Sequence, residues 1–226
     1  MKDNNKITIS ELKKLAELAW GKLVISEEEE EYIKQREDLE SKEKIEARKK
    51  SIGFSSEFLN ENKYDYSMPI KGEIVFEGKH IANDTRFDIN RLLGSRFTLI
   101  SGASGVGKSH ILNAVALKKF NDGMNIRIFD EERDVHTKTS IELKKMVARY
   151  MNVPILYYDD LGFIKLSEEN RDIIKGLLAY RIKNNLETFI ATNFNVFELL
   201  GVAMASRIVG KFLTIKLKGN DRRLEK

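Results

Sequence analysis

The feature that most constrains this 226-residue chain is an octapeptide that lies between a predicted strand and a predicted helix. An apolar run of strand length, 96–101, precedes it, and a segment with helical spacing of apolar residues, 108–120, follows it. Glycines in such a loop let successive backbone N–H groups wrap a phosphate, and the positive end of the helix strengthens the attraction. The loop consists of Gly102, Ala103, Ser104, Gly105, Val106, Gly107, Lys108 and Ser109.

This pattern predicts a nucleotide site rather than a chance glycine-rich turn. Lys108 is expected to contact the β- and γ-phosphates, and the Ser109 hydroxyl is expected to hold Mg²⁺.

Composition excludes several other classes of protein. Hydrophobic residues make up 42% of the chain, which is enough for a substantial core, and cysteine is absent. Disulfides, thiolate zinc sites and thiol nucleophiles are therefore excluded. The N-terminus has no apolar signal core, and no apolar run reaches the length of a membrane span. We expect a cytoplasmic protein with no membrane association.

Charge is unevenly distributed along the chain. Residues 207–226 carry seven Lys/Arg and two acids, whereas residues 1–50 carry twelve Lys/Arg and thirteen Asp/Glu. The basic end predicts contact with phosphates of a nucleotide or nucleic acid, although a solvated basic tail is an equal alternative. The N-terminal region, with a net charge of −1, is poorly suited to clamping DNA.

Residues 1–50 are predicted to be a helical region that binds a protein partner. Ser10 is a suitable N-cap for a first helix that ends at Gly21, and Ser26 with Glu29 has the form of a capping box for a second, longer helix. Apolar residues in the second helix are too sparse for a heptad repeat, so we expect a solvated arm.

The rest of the chain divides into a connector and a larger domain. Residues 51–95 contain Gly and Pro punctuation and are expected to pack on the core through Phe54, Phe58 and Leu59. From residue 96 onward strands and helices alternate, which predicts an α/β domain over 96–226 with a parallel sheet covered by helices on both faces. The predicted strands are 96–101, 124–129, 154–158, 188–192 and 211–217, and the predicted helices are 108–120, 139–152, 168–184 and 196–209.

Polar residues at the ends of two predicted strands complete the expected site. Asp159 and Asp160 follow an apolar strand, and Asn193 follows the next one. Asp159 is expected to position Mg²⁺, and Asp160 to orient and deprotonate the attacking water. Asn193 is expected to hold that water, although an Asn at a strand end is also common in turns.

Together these residues resemble the ATPase core of the DnaC/DnaI-type helicase loaders and the related IstB transposition helpers. The resemblance covers about residues 96–226 and includes the run 105–116 with its unusual His110. Asp159 to Gly162 resembles the Walker B ending of that family, and Tyr180-Arg181 with 191–193 resembles its sensor-1 segment. Residues 199–201 with 206–208 resemble the segment that bears its arginine finger.

The resemblance implies a P-loop NTPase of the AAA+ class with sheet order 5-1-4-3-2. It implies that ATP and Mg²⁺ are bound, with His110 beside the phosphate loop, and that subunits self-associate through the ATP site. Arg207 would act on the ATP of a neighbouring subunit, and Arg222, or Arg223 in the alternative register, would be the sensor-2 arginine. Arg181 is expected to be a structural ion-pair partner.

Three features of this sequence differ from AAA+ proteins in general or from individual loaders. Only about nine residues follow the last predicted strand, so the C-terminal helical lid of many AAA+ proteins is missing, as it is in the loaders. The zinc site of some loaders cannot form without cysteine. Tyr157-Tyr158 replaces an aliphatic pair, which suggests a divergent member encoded by a phage or plasmid.

The leading functional hypothesis is an ATP-dependent loader that binds a replicative DNA helicase and places it on single-stranded DNA. A segment rich in basic side chains before the Walker B strand is expected to contact DNA. An equal alternative is that these side chains only form a solvated helix face. These bases are Arg133, Lys138, Lys144, Lys145 and Arg149.

Three rival hypotheses remain. One is a transposition helper that acts on duplex DNA. A second is a GTPase with permuted motifs, because Asn62 to Asp65 fits a guanine-reading pattern. The third is a small-molecule kinase, against which the second acid, Asp160, and the finger-like Arg207 argue.

Overall fold

The computed structural model describes residues 27–59, 72–76, 79–83, 90–136 and 138–218. Contacts divide the chain into two units, 1–49 and 50–226. The predicted helix between Ser10 and Gly21, the capping residue Ser26, the segment 62–65 and both candidate sensor-2 arginines lie outside the described residues.

The described part contains nine helices and seven strands, numbered here in chain order. The helices are α1 (Glu27–Ile52), α2 (Ser56–Leu59), α3 (Asn90–Leu93), α4 (Lys108–Asn121), α5 (Glu131–Val135), α6 (Ser140–Met151), α7 (Glu168–Lys183), α8 (Val196–Leu200) and α9 (Val202–Lys211). The strands are β1 (Gly72–Phe76), β2 (Lys79–Asn83), β3 (Phe97–Gly102), β4 (Ile126–Asp130), β5 (Ile155–Asp159), β6 (Glu187–Thr192) and β7 (Leu213–Leu217).

The first unit contains most of α1, which is polar around its whole circumference. Every described side chain from 31 to 45 is exposed, including the apolar residues Tyr32, Leu39 and Ile45. A helix without a continuous apolar stripe gains little from packing against another element. The helix therefore agrees with the expected solvated arm, and its partner-binding role stays a prediction.

The second unit is built on one seven-stranded sheet in the order β2-β1-β7-β3-β6-β5-β4. The five strands from β7 to β4 pair in parallel. Counted from β3, their order is 5-1-4-3-2, so the predicted AAA+ topology is confirmed.

The connector contributes more to this sheet than expected. β1 and β2 form an antiparallel hairpin, and β1 pairs antiparallel with β7. Without β1, the outer edge of β7 would present unpaired N–H and C=O groups, a surface that invites unwanted strand pairing. The sequence did contain a signal for this hairpin, namely the short run Glu73–Phe76 followed by Glu77-Gly78. Reading 51–95 only as a connector therefore missed two strands.

Helices cover both faces of the sheet, as predicted, and each face has its own core. The core on one face surrounds α4 and includes Ile52, Phe54 and Phe58 from the connector. On the other face, α6, α7, α8 and α9 pack over the opposite side of the strands. Alternate residues of a strand enter different cores, as Tyr157 and Tyr158 do, because side chains alternate across a sheet.

One predicted helix, 196–209, is two helices separated by Gly201. Gly201 has a φ of 78°, a left-handed conformation that glycine adopts without strain, and its N–H donates to the Phe197 carbonyl. The prediction of one continuous helix over 196–209 was therefore wrong at Gly201. The break separates α8 from α9, the helix that carries Arg207.

The buried side chain of Arg181 links α7 to the segments where β5 and β6 begin. Its side chain is fully buried and donates to Thr188 Oγ1 at 3.0 Å. It also donates to the carbonyl oxygens of Tyr150, Val153 and Glu187 at 2.9, 2.8 and 2.6 Å. Burial lowers the pKa of this guanidinium to about 10, partly opposed by the Glu187 charge. The structural role is as expected, but the expected ion pair is wrong: among the described residues the acceptors are backbone carbonyls and one hydroxyl.

We predict that Arg181→Ala lowers the free energy of unfolding by about 3 kcal/mol, because several buried carbonyls lose a charged donor. Urea unfolding would measure the change. Lys183→Ala, an exposed residue on the same helix, should change stability by less than about 0.5 kcal/mol. Equal stability of the Arg181 variant and the wild type would contradict the structural role.

Candidate nucleotide-binding site

The phosphate loop lies between β3 and α4, as the sequence predicts. Gly105 and Gly107 have φ values of 73° and 100°, in the left-handed region that side chains rarely adopt. Gly107 is the N-cap of α4 and has no side chain to satisfy the first helical N–H groups. The first turn of a 14-residue helix therefore offers its donors toward the loop.

Lys108 lies within this loop and is 4% exposed. Its Nζ donates to the Ala103 carbonyl at 2.7 Å, across the loop from its own backbone. A cation held in that position attracts a phosphate that enters between the backbone N–H groups. Val106 faces the other way and packs in the core around α4, which fixes the loop to the sheet.

The Walker B acid meets the loop through a direct contact. Ser109 Oγ donates to Asp159 Oδ1 at 3.0 Å, although the two residues are 50 positions apart. Asp159 ends β5 and is 5% exposed. Burial raises the pKa of this carboxyl to about 7, and the nearby Asp160 charge raises it further, whereas the Ser109 hydrogen bond opposes both. A carboxylate so placed is stabilised by a bound cation.

Asp160 occupies a sharp turn directly after the strand. Its φ is 54°, which is uncommon outside glycine and often marks functional sites, and its N–H donates to Asp159 Oδ1 at 3.0 Å. The turn separates the two neighbouring acids: Asp159 contacts Ser109, whereas Asp160 lines the adjacent cavity.

Asn193 approaches the same cavity from the end of β6. Its Oδ1 is buried and has no hydrogen-bond partner among the described residues. The neighbouring Thr192 Oγ1 donates to the Leu161 carbonyl at 2.6 Å and accepts from the Phe194 N–H, which ties this strand end to the Walker B loop. Asn193 lines the cavity, and its buried amide oxygen is an unsatisfied polar atom at this strand end.

These groups surround one cavity of about 640 Å³. The residues that line it are Ser104, Gly105, Gly107, Lys108, Ser109, His110, Glu132, Asp160, Phe163 and Asn193. The structure thus brings the loop, His110, the second acid and the strand-end amide together. Gly102, Ala103, Val106 and Asp159 support the cavity without lining it.

Sequence reasoning missed two acids at the end of β4. Glu132 lines the cavity, and Glu131 is fully buried behind it. Glu131 accepts from the Tyr158 hydroxyl at 2.7 Å and from the N–H groups of Gly162 and Ile164 at 3.1 and 3.2 Å. Burial raises the pKa of the Glu131 carboxyl despite these three donors. The signal was present, because Asp130-Glu131-Glu132 also follows a strand of the same parallel sheet.

Arg207 lies outside this cavity. It is exposed on α9, and no described residue forms an ion pair or hydrogen bond with its guanidinium. The structure therefore does not bring it to the phosphate loop of its own subunit.

Comparison with known proteins decides the family. A family model described as IstB-like ATP binding protein matches residues 95–226, which is more than half of the chain. The chain belongs to the IstB-like ATP-binding family. The matched region contains the phosphate loop and the Walker B acids, so the cavity between them is the candidate nucleotide site of this family member.

Several solved structures are similar to this family member at low identity. The crystal structure of DnaI is 23% identical with a TM-score of 0.48, and the match covers 57% of this chain and 81% of that one. The DnaC helicase loader is 24% identical with a TM-score of 0.45, over 57% of this chain and 86% of that one. AMPPCP-bound DnaA from Aquifex aeolicus is 20% identical with a TM-score of 0.49, over 60% and 46%. No curated protein matches the chain.

Within the described ranges, no helix has both the length and the apolar character required to cross a bilayer.

The residues present fit a magnesium ion beside the ATP of this family. Hydroxyl and carboxylate oxygens are the ligands Mg²⁺ prefers, and it takes few of them because phosphates and water fill its remaining positions. Ser109 and Asp159 already share one hydrogen bond, and the raised Asp159 pKa marks a carboxylate that lacks a compensating positive charge. These two residues would hold the ion.

We predict that Lys108→Ala reduces ATP affinity at least about 100-fold, because the loop loses its only charged donor to the β- and γ-phosphates. Isothermal titration with Mg·ATP would measure it. Lys118→Ala is the matched control, since this lysine lies on the same helix but in an exposed pair with Asp122. Undiminished affinity in the Lys108 variant would overturn the phosphate-loop assignment.

Proposed function

We propose that this protein is an ATP-dependent helicase loader, which binds a replicative DNA helicase and helps place it on single-stranded DNA. One observation carries the proposal: residues of the phosphate loop and the second Walker B acid, Asp160, line one cavity, while the finger-like Arg207 is exposed and outside it. Such a site has no arginine finger from its own subunit, and a second subunit can supply one. Hydrolysis then depends on assembly, which suits a protein that times the delivery of a partner.

The residues around the cavity support slow ATP hydrolysis. Lys108 would hold the β- and γ-phosphates, and Ser109 and Asp159 would hold Mg²⁺, which would supply positive charge against the charge that develops there. Asp160 would orient the attacking water and accept its proton, and the Asn193 side-chain amide would hold the same water.

Subunit contact completes this chemistry in the proposal. Arg207 reaches the γ-phosphate of the neighbouring subunit and stabilises charge in the transition state. Arg222 acts on the nucleotide of its own subunit, with Arg223 as the alternative register. ATP-dependent self-association follows, because the bound γ-phosphate is what the neighbour's Arg207 recognises.

The N-terminal region is proposed to bind the helicase. Its net charge of −1 favours a protein over a nucleic acid, and α1 displays Tyr32, Leu39 and Ile45 to solvent. Exposed apolar residues on an otherwise charged helix are available to a partner.

A transposition helper is the second candidate, and the match to an IstB-like family model favours it. Such a helper remodels duplex target DNA for a transposase, and a basic N-terminal region would suit that task. The balanced charge of residues 1–50 argues for the loader. Preference for duplex over single-stranded DNA, with no capture of a helicase, would favour the helper.

We predict that Arg207→Ala leaves the ATP affinity of the isolated subunit within about twofold of wild type but lowers the hydrolysis rate at least about 100-fold, because the finger reaches ATP only from a neighbouring subunit. Phosphate release at saturating ATP would measure the rate. Lys183→Ala removes an exposed charge elsewhere and should hydrolyse ATP normally.

Mixing two inactive variants tests whether the finger acts between subunits. Asp160→Ala keeps Arg207, and Arg207→Ala keeps Asp160, so a mixed interface can restore one working site. No activity in the mixture, at concentrations where the wild type is active, would count against action in trans.

We also predict that removing residues 1–49, up to the boundary between the two units, abolishes helicase binding but preserves ATP binding. Pull-down from host lysate with nucleotide present, followed by mass spectrometry, would identify the captured helicase. Co-purification of the helicase with the shortened protein would contradict the assigned role of this region.

A further inference from the structure

A second large cleft lies beside β4, the edge strand of the sheet. It has a volume of about 780 Å³ and extends along α6 beside the edge strand β4. None of the residues that line it belongs to the nucleotide cavity. The cleft is thus a separate feature of the domain.

Four basic side chains converge on this cleft. Lys145 and Arg149 come from one face of α6, Lys138 from just before that helix, and Arg127 from β4. None of the four forms an ion pair with a described residue. Arg127 donates only to the carbonyl of its neighbour Ile126, at 3.0 Å. These cations are therefore available to an anionic ligand.

The two acids in the cleft are already engaged. Asp134 pairs with Arg133 at 2.7 Å, and Glu142 is the capping-box partner of Thr139. Hydrogen bonds from Thr139 lower the pKa of Glu142, and the fields of Lys138 and Lys145 lower it further. The unpaired charge of the cleft is accordingly positive.

The structure corrects the basic segment expected from the sequence. Arg133 donates to the carbonyls of Gly53 and Ile128 as well as to Asp134, so it holds the connector against β4. Lys144 points away from the cleft and pairs with Glu169 at 2.8 Å. Two of the five expected bases are thus committed elsewhere, and Arg127 was overlooked.

We propose that this cleft binds the phosphate backbone of single-stranded DNA. The inference rests on the proposed loader function, for which it names the DNA site. α6 has 12 residues and is about 18 Å long, so its bases form a row and not a point site for one small anion. Duplex DNA is read by convex elements that enter its grooves, whereas a concave channel with cations accommodates one strand. Met146 and Tyr150 provide apolar surface beside the basic side chains, against which the nucleobases of that strand can pack.

Anisotropy of a fluorescent oligo-dT, titrated with the full-length protein and ATP, tests the proposal. The cleft variant carries Arg127→Gln, Lys145→Gln and Arg149→Gln. The control variant carries Lys118→Gln, Lys144→Gln and Lys183→Gln, which remove the same charge from exposed positions outside the cleft. Lys144 lies on the same helix as the cleft bases, so the control separates position from charge.

The cleft variant is expected to bind at least about tenfold more weakly at 0.1 M salt, with a slope of log affinity against log salt that is smaller by about 2. The control variant is expected to stay within about twofold of wild type. ATP affinity should be unchanged in both variants, which confirms that they fold. Lys145→Gln alone, at an exposed position in the cleft, should already weaken binding severalfold.

Equal affinity of the cleft variant and the wild type would overturn the proposal, and so would an equal loss in the control variant. Loss of helicase capture with normal oligo-dT binding would assign the cleft to an acidic protein surface instead. Tighter wild-type binding to duplex than to oligo-dT would overturn the single-strand specificity. If the wild type captures no helicase but the oligo-dT results hold, the loader function fails while the DNA site stands.

Discussion

Parallel pairing of β3, β6 and β5 is the constraint on which the ATP site depends. Ser101 pairs with Thr192 and Tyr158 with Ile190, so the three strands end at nearly the same level. The phosphate loop, the Walker B pair and Asn193 leave these ends and therefore meet at one edge, as ligand sites do in open α/β sheets. Ser109 and Asp159 can share a hydrogen bond only because this register places them side by side.

Packing on both faces of the sheet keeps that register. Side chains that alternate along each strand enter two separate cores, so a slip of one residue would exchange the cores and expose or crowd both. Arg181 adds polar contacts at the other end of β5 and β6, where it donates to the carbonyls of Val153 and Glu187. The stability that this packing provides allows the domain to keep buried acids such as Asp159 and Glu131 close to the site, although burial disfavours their charged forms.

The sequence predicted most of this arrangement because its signals are local. Strand and helix periods, the loop glycines and the acids after β5 each depend on neighbours in the chain, and the strand order was implied by the family resemblance. The pairing of β1 with β7 has no local signal, because it joins residues about 140 positions apart, whereas the local signal of the β1–β2 hairpin was overlooked. Glu131 was missed because its role depends on donors from the neighbouring strand and loop. The basic residues could be counted but not sorted, since only tertiary contacts show that Arg133 and Lys144 are occupied.

One five-residue helix, α5, touches both the ATP site and the basic cleft. Glu131 holds the Walker B loop, Glu132 lines the ATP cavity and Asp134 lines the cleft. Contact alone does not establish coupling between two sites; an element with two arrangements that both ligands bias does. The β4 end offers such an element in principle, because a movement of the Walker B loop must carry Glu131 or break its hydrogen bonds. Any resulting effect of ATP on DNA affinity must be matched by an equal effect of DNA on ATP affinity.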